Sequence, residues 1–251
     1  MPGKTQAGQK SEPPGELTQI QSGLEQIYAA LKPLQPGTAE QMQRSQGGGQ
    51  GGGRGKQQGG QKEGGQGGKS APSPSEQIDW AKLHQQSVRL HEQWNAFEPN
   101  AMKSGANPDA ITGFEGQLNI LSNKLAERDR YGSQLAANNA ASFLPDFMEL
   151  YDGKAPPDLL RLRCLARDVA LRVEADDWAG AERDLGAMPA VWSRVRTEAK
   201  GAKESDTSKI QYAITDLRDS VRARDKFVVM LKEDILEKNI DVLNKSLQRQ
   251  F

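Results

Sequence analysis

From Leu17 onward, apolar residues recur at intervals of three and four: Leu17, Ile20, Leu24, Ile27, Leu31 and Leu34. That spacing lays a single apolar seam along a helix. Pro13, Pro14 and Gly15 precede the seam, and Pro33 and Pro36 bracket its end, so a helix is predicted over residues 15–34. A lone helix of about 17 residues is marginal in water and needs a surface to cover its seam. Its polar face, with Glu16, Gln19, Glu25 and Gln26, lacks the cations of a helix lying on a membrane. Docking on protein is expected, either on the chain's own domain or on a second copy. Leu17, Ile20, Leu24, Ile27 and Leu31 are then the candidate partner contacts.

The same rhythm resumes after residue 76. Trp80, Leu83, Ser87, Leu90, Trp94 and Phe97 form one seam, and Ile111, Phe114, Leu118, Leu121 and Leu125 form the next. Asn107, Pro108 and Asp109 supply a start signal for the second. A third segment, residues 131–153, holds Pro145, which should kink or split it. Residues 156–175 are the most apolar stretch and are expected to lie centrally. Trp178, Ala181, Leu185, Met188, Trp192 and Val195 repeat the strict spacing, with Pro189 expected to bend the helix without losing phase. The last seam runs through Ile210, Ile214, Leu217 and Val221, breaks near Arg224, and resumes at Val228, Leu231 and Ile235. That reads as two helices, or one kinked between Arg222 and Asp225. No segment shows the alternation and turn chemistry of a hairpin. The expected fold is all-α: a bundle or helical array of six to seven helices, preceded by one isolated amphipathic helix. No repeat of fixed solenoid period is visible, although the two helices that run from Trp to Trp are alike in layout.

Between the first helix and the rest lies a tract that cannot build a core. Half of the 26 glycines, 13, fall between Ser45 and Lys69. Such composition buries too little apolar surface to offset its ordering entropy, so a disordered Gly/Gln-rich linker is predicted. The expected organisation is a disordered tail over 1–14, the amphipathic helix over 15–34, the linker over 35–75 and a helical domain over 76–251. The linker reads as a flexible leash that raises the local concentration of domain and partner without fixing an orientation.

Charge adds little. The whole chain balances 33 basic against 33 acidic residues, and residues 1–75 hold eight Lys or Arg against five Asp or Glu. Neither part has a field suited to strong nucleic-acid or membrane attraction. The tract's Arg54, Lys56, Lys62 and Lys69 have no aromatic residue among them for base stacking, so nucleic acid is not an expected partner. No stretch approaches the roughly 18 to 20 apolar residues of a membrane span.

Candidate chemistry is sparse. His84 and His91 are seven apart, about 10 Å along a helix, too far to share one metal ion. Cys164 sits in an apolar run and reads as a buried small hydrophobe. Nucleophile-elbow, zinc-protease, phosphate-loop and dinucleotide motifs are missing. No catalytic residue, cofactor or metal is therefore assigned, and the chain is expected not to be an enzyme. Asn95 and Glu98 follow a seam tryptophan near a helix end, and Asn138 and Asn139 lie in an Ala-rich helix that another helix could approach closely. These four are the candidate polar site.

Four segments, "LHEQWNAFEPNAM", "FEGQLNILSNKL", "AANNAASFLPDFMELY" and "DWAGAERDLGAMPAVWSRV", resemble uncharacterised cell-envelope lipoproteins of clostridia-like spore-forming bacteria, across roughly residues 80–196. Proteins of that kind carry a lipidated cysteine, a polar tether and then a helical domain; the present sequence lacks that cysteine. The resemblance implies a non-enzymatic binding module outside the cytoplasm, tethered to the membrane through a removed or omitted N-terminal segment. Its partner would be a protein or cell-wall component, with self-association through the first helix as an option. The alternative is a cytosolic adaptor, or a weak nucleic-acid binder acting through the basic Gly/Gln tract.

Overall fold

The structure is a computed structural model describing residues 10–33 and 78–249. Residues 1–9, Leu34 and the predicted linker 35–75 lie outside the described residues. Nine helices are found among the described residues, and no strand. They are α1 (Gly15–Ala30), α2 (Trp80–Lys103), α3 (Pro108–Ala126), α4 (Arg130–Ala141), α5 (Leu144–Met148), α6 (Asp158–Glu174), α7 (Trp178–Glu198), α8 (Glu204–Arg222) and α9 (Lys226–Gln248). The fold is all-α, as expected. Pro145 does split its segment, opening the five-residue α5, whereas α2 runs through Pro99 to Lys103. The break near Arg224 separates α8 from α9. Arg224 takes a left-handed backbone (φ 53°), and Asp225 caps α9 through the amide of Val228 at 3.1 Å.

The helices form two four-helix repeats, which periodicity alone did not show. Adding 98 to the buried positions of α2 (Leu83, Ser87, Leu90, Trp94, Phe97, Ala101) gives Ala181, Leu185, Met188, Trp192, Val195 and Ala199, all buried on or just after α7. Adding 96 carries Phe114, Leu118, Leu121 and Leu125 of α3 onto Ile210, Ile214, Leu217 and Val221 of α8. The same step carries Ser133, Ala137, Ala140, Leu144, Phe147 and Tyr151 onto Val229, Glu233, Leu236, Ile240, Leu243 and Leu247 of α9. Adding 142 carries Leu17, Ile20, Leu24, Ile27 and Leu31 of α1 onto Leu159, Leu162, Ala166, Val169 and Val173 of α6.

Specific polar contacts repeat too. Trp94 donates its indole N–H to Glu115 on the next helix at 3.0 Å, and Trp192 donates to Gln211 at 2.9 Å; residues 115 and 211 are themselves equivalent. Arg128 and Arg224 share the left-handed conformation, φ 55° and 53°, and each is followed by an aspartate that caps the next helix. Sequence traces survive as Asp-Trp-Ala at 79–81 and 177–179, and Arg-Asp at 128–129 and 224–225.

The first helix is thus integral to the first repeat. Leu17, Ile20, Leu24, Ile27 and Leu31 are at most 1 % exposed, and α1 packs on α2 and α4. Burying each such side chain contributes about 1.5–3 kcal/mol. Gln26 meets Gln86 and Gln19 meets Gln93, so α1 and α2 run antiparallel. The chain therefore leaves this body at Leu31 and returns at Trp80, at the same end of one helix pair. Met1–Leu31 and Trp80–Phe251 belong to one compact unit and Lys32–Asp79 to a second. In that second unit only Lys32, Pro33, Ile78 and Asp79 are described.

Candidate functional site

The repeats meet through α1, α4, α6 and α9. Because α4 corresponds to α9 and α6 to α1, the junction has two equivalent halves, α4 against α6 and α9 against α1. The first half is closed. Small residues of α4, among them Ala137, Ala140 and Ala141, let the helices approach, and Tyr131 donates its hydroxyl proton to the Leu171 carbonyl at 3.2 Å. Asn138 donates to the Cys164 carbonyl at 3.0 Å and to Asp168 at 2.7 Å. In α9 the counterparts of Asn138, Ala141 and Pro145 are Asp234, Glu237 and Asp241. There the second half opens into a pocket of about 170 Å³, walled by Leu17 and Gln21 on α1, Leu160 and Arg163 on α6, and Ile240 and Asn244 on α9.

A buried ionic cluster forms the floor between the halves. Arg167, 4 % exposed, reaches Glu25 at 2.6 Å and Glu237 at 2.5 Å, and its guanidinium lies 4.1 Å from the ring centre of Tyr28. Arg163 pairs with Asp241 and lies 3.0 Å from Glu25. The Glu25 oxygen facing Arg163 is an ion-pair partner without hydrogen-bond alignment, and Nε of Arg163 has no hydrogen-bond partner. Burial alone would discourage the charge on Arg167; the neighbouring Glu237 and Glu25 outweigh it and hold the guanidinium protonated. Burial likewise pushes Tyr28 well up, reinforced by Glu233. Asp168 is pushed up to about 6 by burial, against the pull of the Asn138 hydrogen bond.

The remaining titratable groups explain their own placement. Cys164 is buried and its thiol is pushed up to about 12 by burial, so it stays protonated and acts as a small hydrophobe. His84 is exposed, while His91 is half-buried against the Ser122 hydroxyl at 2.9 Å. Glu233, Asp234 and Glu237 lie close enough to share a cation, but Glu237 is committed to Arg167.

Of the four residues named as a candidate polar site, Asn138 joins the hydrogen-bond network of the junction. It is fully buried at the junction, while Asn139 is half-buried on the adjoining face. Asn95 is exposed and Glu98 half-buried on α2, apart from that network. The α1 seam serves the chain's own core. Sequence reading missed Glu25, Arg163, Arg167, Glu237 and Asp241. Arg163 and Arg167 lie on α6, which has neighbours on several sides, so the spacing of its apolar residues did not mark them as buried. In comparisons with known families, characterised proteins and solved structures, nothing matches this chain.

Proposed function

We propose that this chain is a non-enzymatic helical binding module whose recognition surface is the open half of the inter-repeat junction. The observation that carries the reading is the asymmetry of two equivalent helix pairs: α4 closes on α6, while α9 stands off α1 and leaves a walled pocket. Pockets at boundaries between similar units are common recognition sites, because neither unit alone has to form the cavity. Two features support a non-catalytic role: the buried thiol is held protonated, and the charged groups nearest the pocket are already paired with one another.

The partner is a protein or cell-wall component. The resemblance of residues 80–196 to envelope lipoproteins favours a position outside the cytoplasm, held to the membrane through an N-terminal segment. Because α1 and the later helices belong to one unit, the Gly/Gln tract is read here as a connection between two helices of that unit.

A photo-crosslinking residue placed at Thr18, beside the pocket, tests the site in the native cells. The reading predicts a defined adduct from Thr18 that is lost when Leu160→Trp fills the pocket. A crosslinker at exposed Thr197 on α7 should give no such adduct. An identical pattern from both positions, or a Thr18 adduct that survives Leu160→Trp in a folded chain, overturns it.

A further inference from the structure

The chemistry of this pocket narrows what it holds. Its floor is aliphatic, with Leu17, Leu159, Leu160 and Ile240. Its volume, about 170 Å³, is close to the roughly 150 Å³ of an apolar cavity that accepts one benzene-sized guest. Polar groups stand above the floor on both walls: Thr18 and Gln21 on α1, Asn244 and Gln248 on α9. None of these four side chains makes a hydrogen bond among the described residues. An unengaged carboxamide presents a donor and an acceptor side by side, the pattern that matches a peptide group.

Charge and shape exclude other guests. Arg163 is the single charged residue among the described lining, and Glu25 and Asp241 already neutralise it. A polyanion or a free carboxylate would meet those acidic groups rather than an open cation. Among the described lining residues, no aromatic side chain offers the flat platform on which sugar rings stack.

We infer that the pocket takes one uncharged aliphatic side chain of a peptide segment, leucine-sized, while Gln21, Asn244 and Gln248 bond the flanking peptide groups. The inference rests on the binding-module reading and selects protein over wall glycan as the partner. α1 supplies one wall, so the site requires the first helix seated in its repeat.

The test uses the full chain with methyl-labelled leucine and isoleucine, followed by NMR. The probes are N-acetyl-leucine-N-methylamide, its aspartate counterpart and tri-N-acetylchitotriose. The leucine amide should shift the Leu17, Leu160 and Ile240 methyls saturably, with the aspartate probe at least tenfold weaker and the sugar silent. Leu160→Trp should abolish the shifts; Asn244→Leu, at the rim and away from the core, should weaken them several-fold and serves if Leu160→Trp fails to fold. Shifts of the same methyls by the sugar and not by the leucine amide would overturn the inference and leave the pocket as a binding surface. Silence from every probe would overturn it too, and the Thr18 crosslink then decides the broader reading by itself.

Discussion

Glu25 and Arg167 occupy equivalent positions of the two repeats, and across the junction they form an ion pair at 2.6 Å. Two equivalent helices thus carry opposite charges at one position, and the opposition joins the repeats. Removing one partner of such a buried pair leaves an uncompensated charge, a loss of about 3–5 kcal/mol. Arg167→Met is expected to fall in that range, since Glu25 and Glu237 would both lose the guanidinium that lies between them; urea unfolding measures it. Asp168 acts in the opposite sense. Its folded value of about 6 lies above the roughly 3.9 of an unfolded aspartate. Between pH 4 and 6 the folded chain therefore binds more protons than the unfolded one, and this group makes stability fall as pH rises. Asp168→Asn keeps an acceptor for Asn138 and removes the titration. The variant should match the parent near pH 4 and exceed it by roughly 2 kcal/mol at pH 7. Equal pH slopes for the two proteins would show that Asp168 titrates normally.

At the scale of the helix, strict three-four seams were legible because one face of each element meets one core. The seams of α2, α3 and α7 are buried where the spacing placed them, apart from partly exposed Trp80 and Trp178. α9 was misread in phase. Leu231 and Ile235 were assigned to its seam, but Val229, Leu236, Ile240, Leu243 and Leu247 are its core. Phe227, Leu231, Ile235 and Val242 are exposed instead. A helix with two apolar faces gives two consistent seams, and spacing cannot choose between them. α6 failed to reveal its charges for a related reason. It packs against α7 and α9 within its repeat and against α4 and α5 across the junction, so Arg163 and Arg167 point inward too. α1 offers the direct test of element-level integration. Leu24→Ala should cost about 2–5 kcal/mol, the loss of a well-packed core leucine, without changing oligomeric size; denaturant unfolding with light scattering reads both. A loss below 1 kcal/mol would mean that α1 is only loosely seated.

The duplication was hidden at the scale of the whole molecule because the spacing between equivalent residues is not constant. It is 142 residues for α1 and α6 but 98 for α2 and α7, and the difference is the Gly/Gln tract. In the second repeat, Val173 is joined to Trp178 by Glu174, Ala175, Asp176 and Asp177, with Asp176 in the left-handed conformation at φ 63°. Equivalent Leu31 and Trp80 are separated by Lys32–Asp79. Four residues therefore join the equivalent pair in the second repeat where the first repeat uses many more, and the tract occupies the place of a helix–helix turn. Replacing Lys32–Asp79 by Glu-Ala-Asp-Asp should preserve the helical spectrum. Closing the shorter loop costs less entropy, so the variant should gain about 2 kcal/mol, read by urea unfolding. The pocket should stay intact in that variant, because none of its described lining residues lies within Lys32–Asp79. Leucine-amide binding should therefore survive the replacement, and any interaction that disappears belongs to the tract. If the replaced chain loses its helicity, equivalence of the two turns fails, and with it the duplication as an account of how α1 is held.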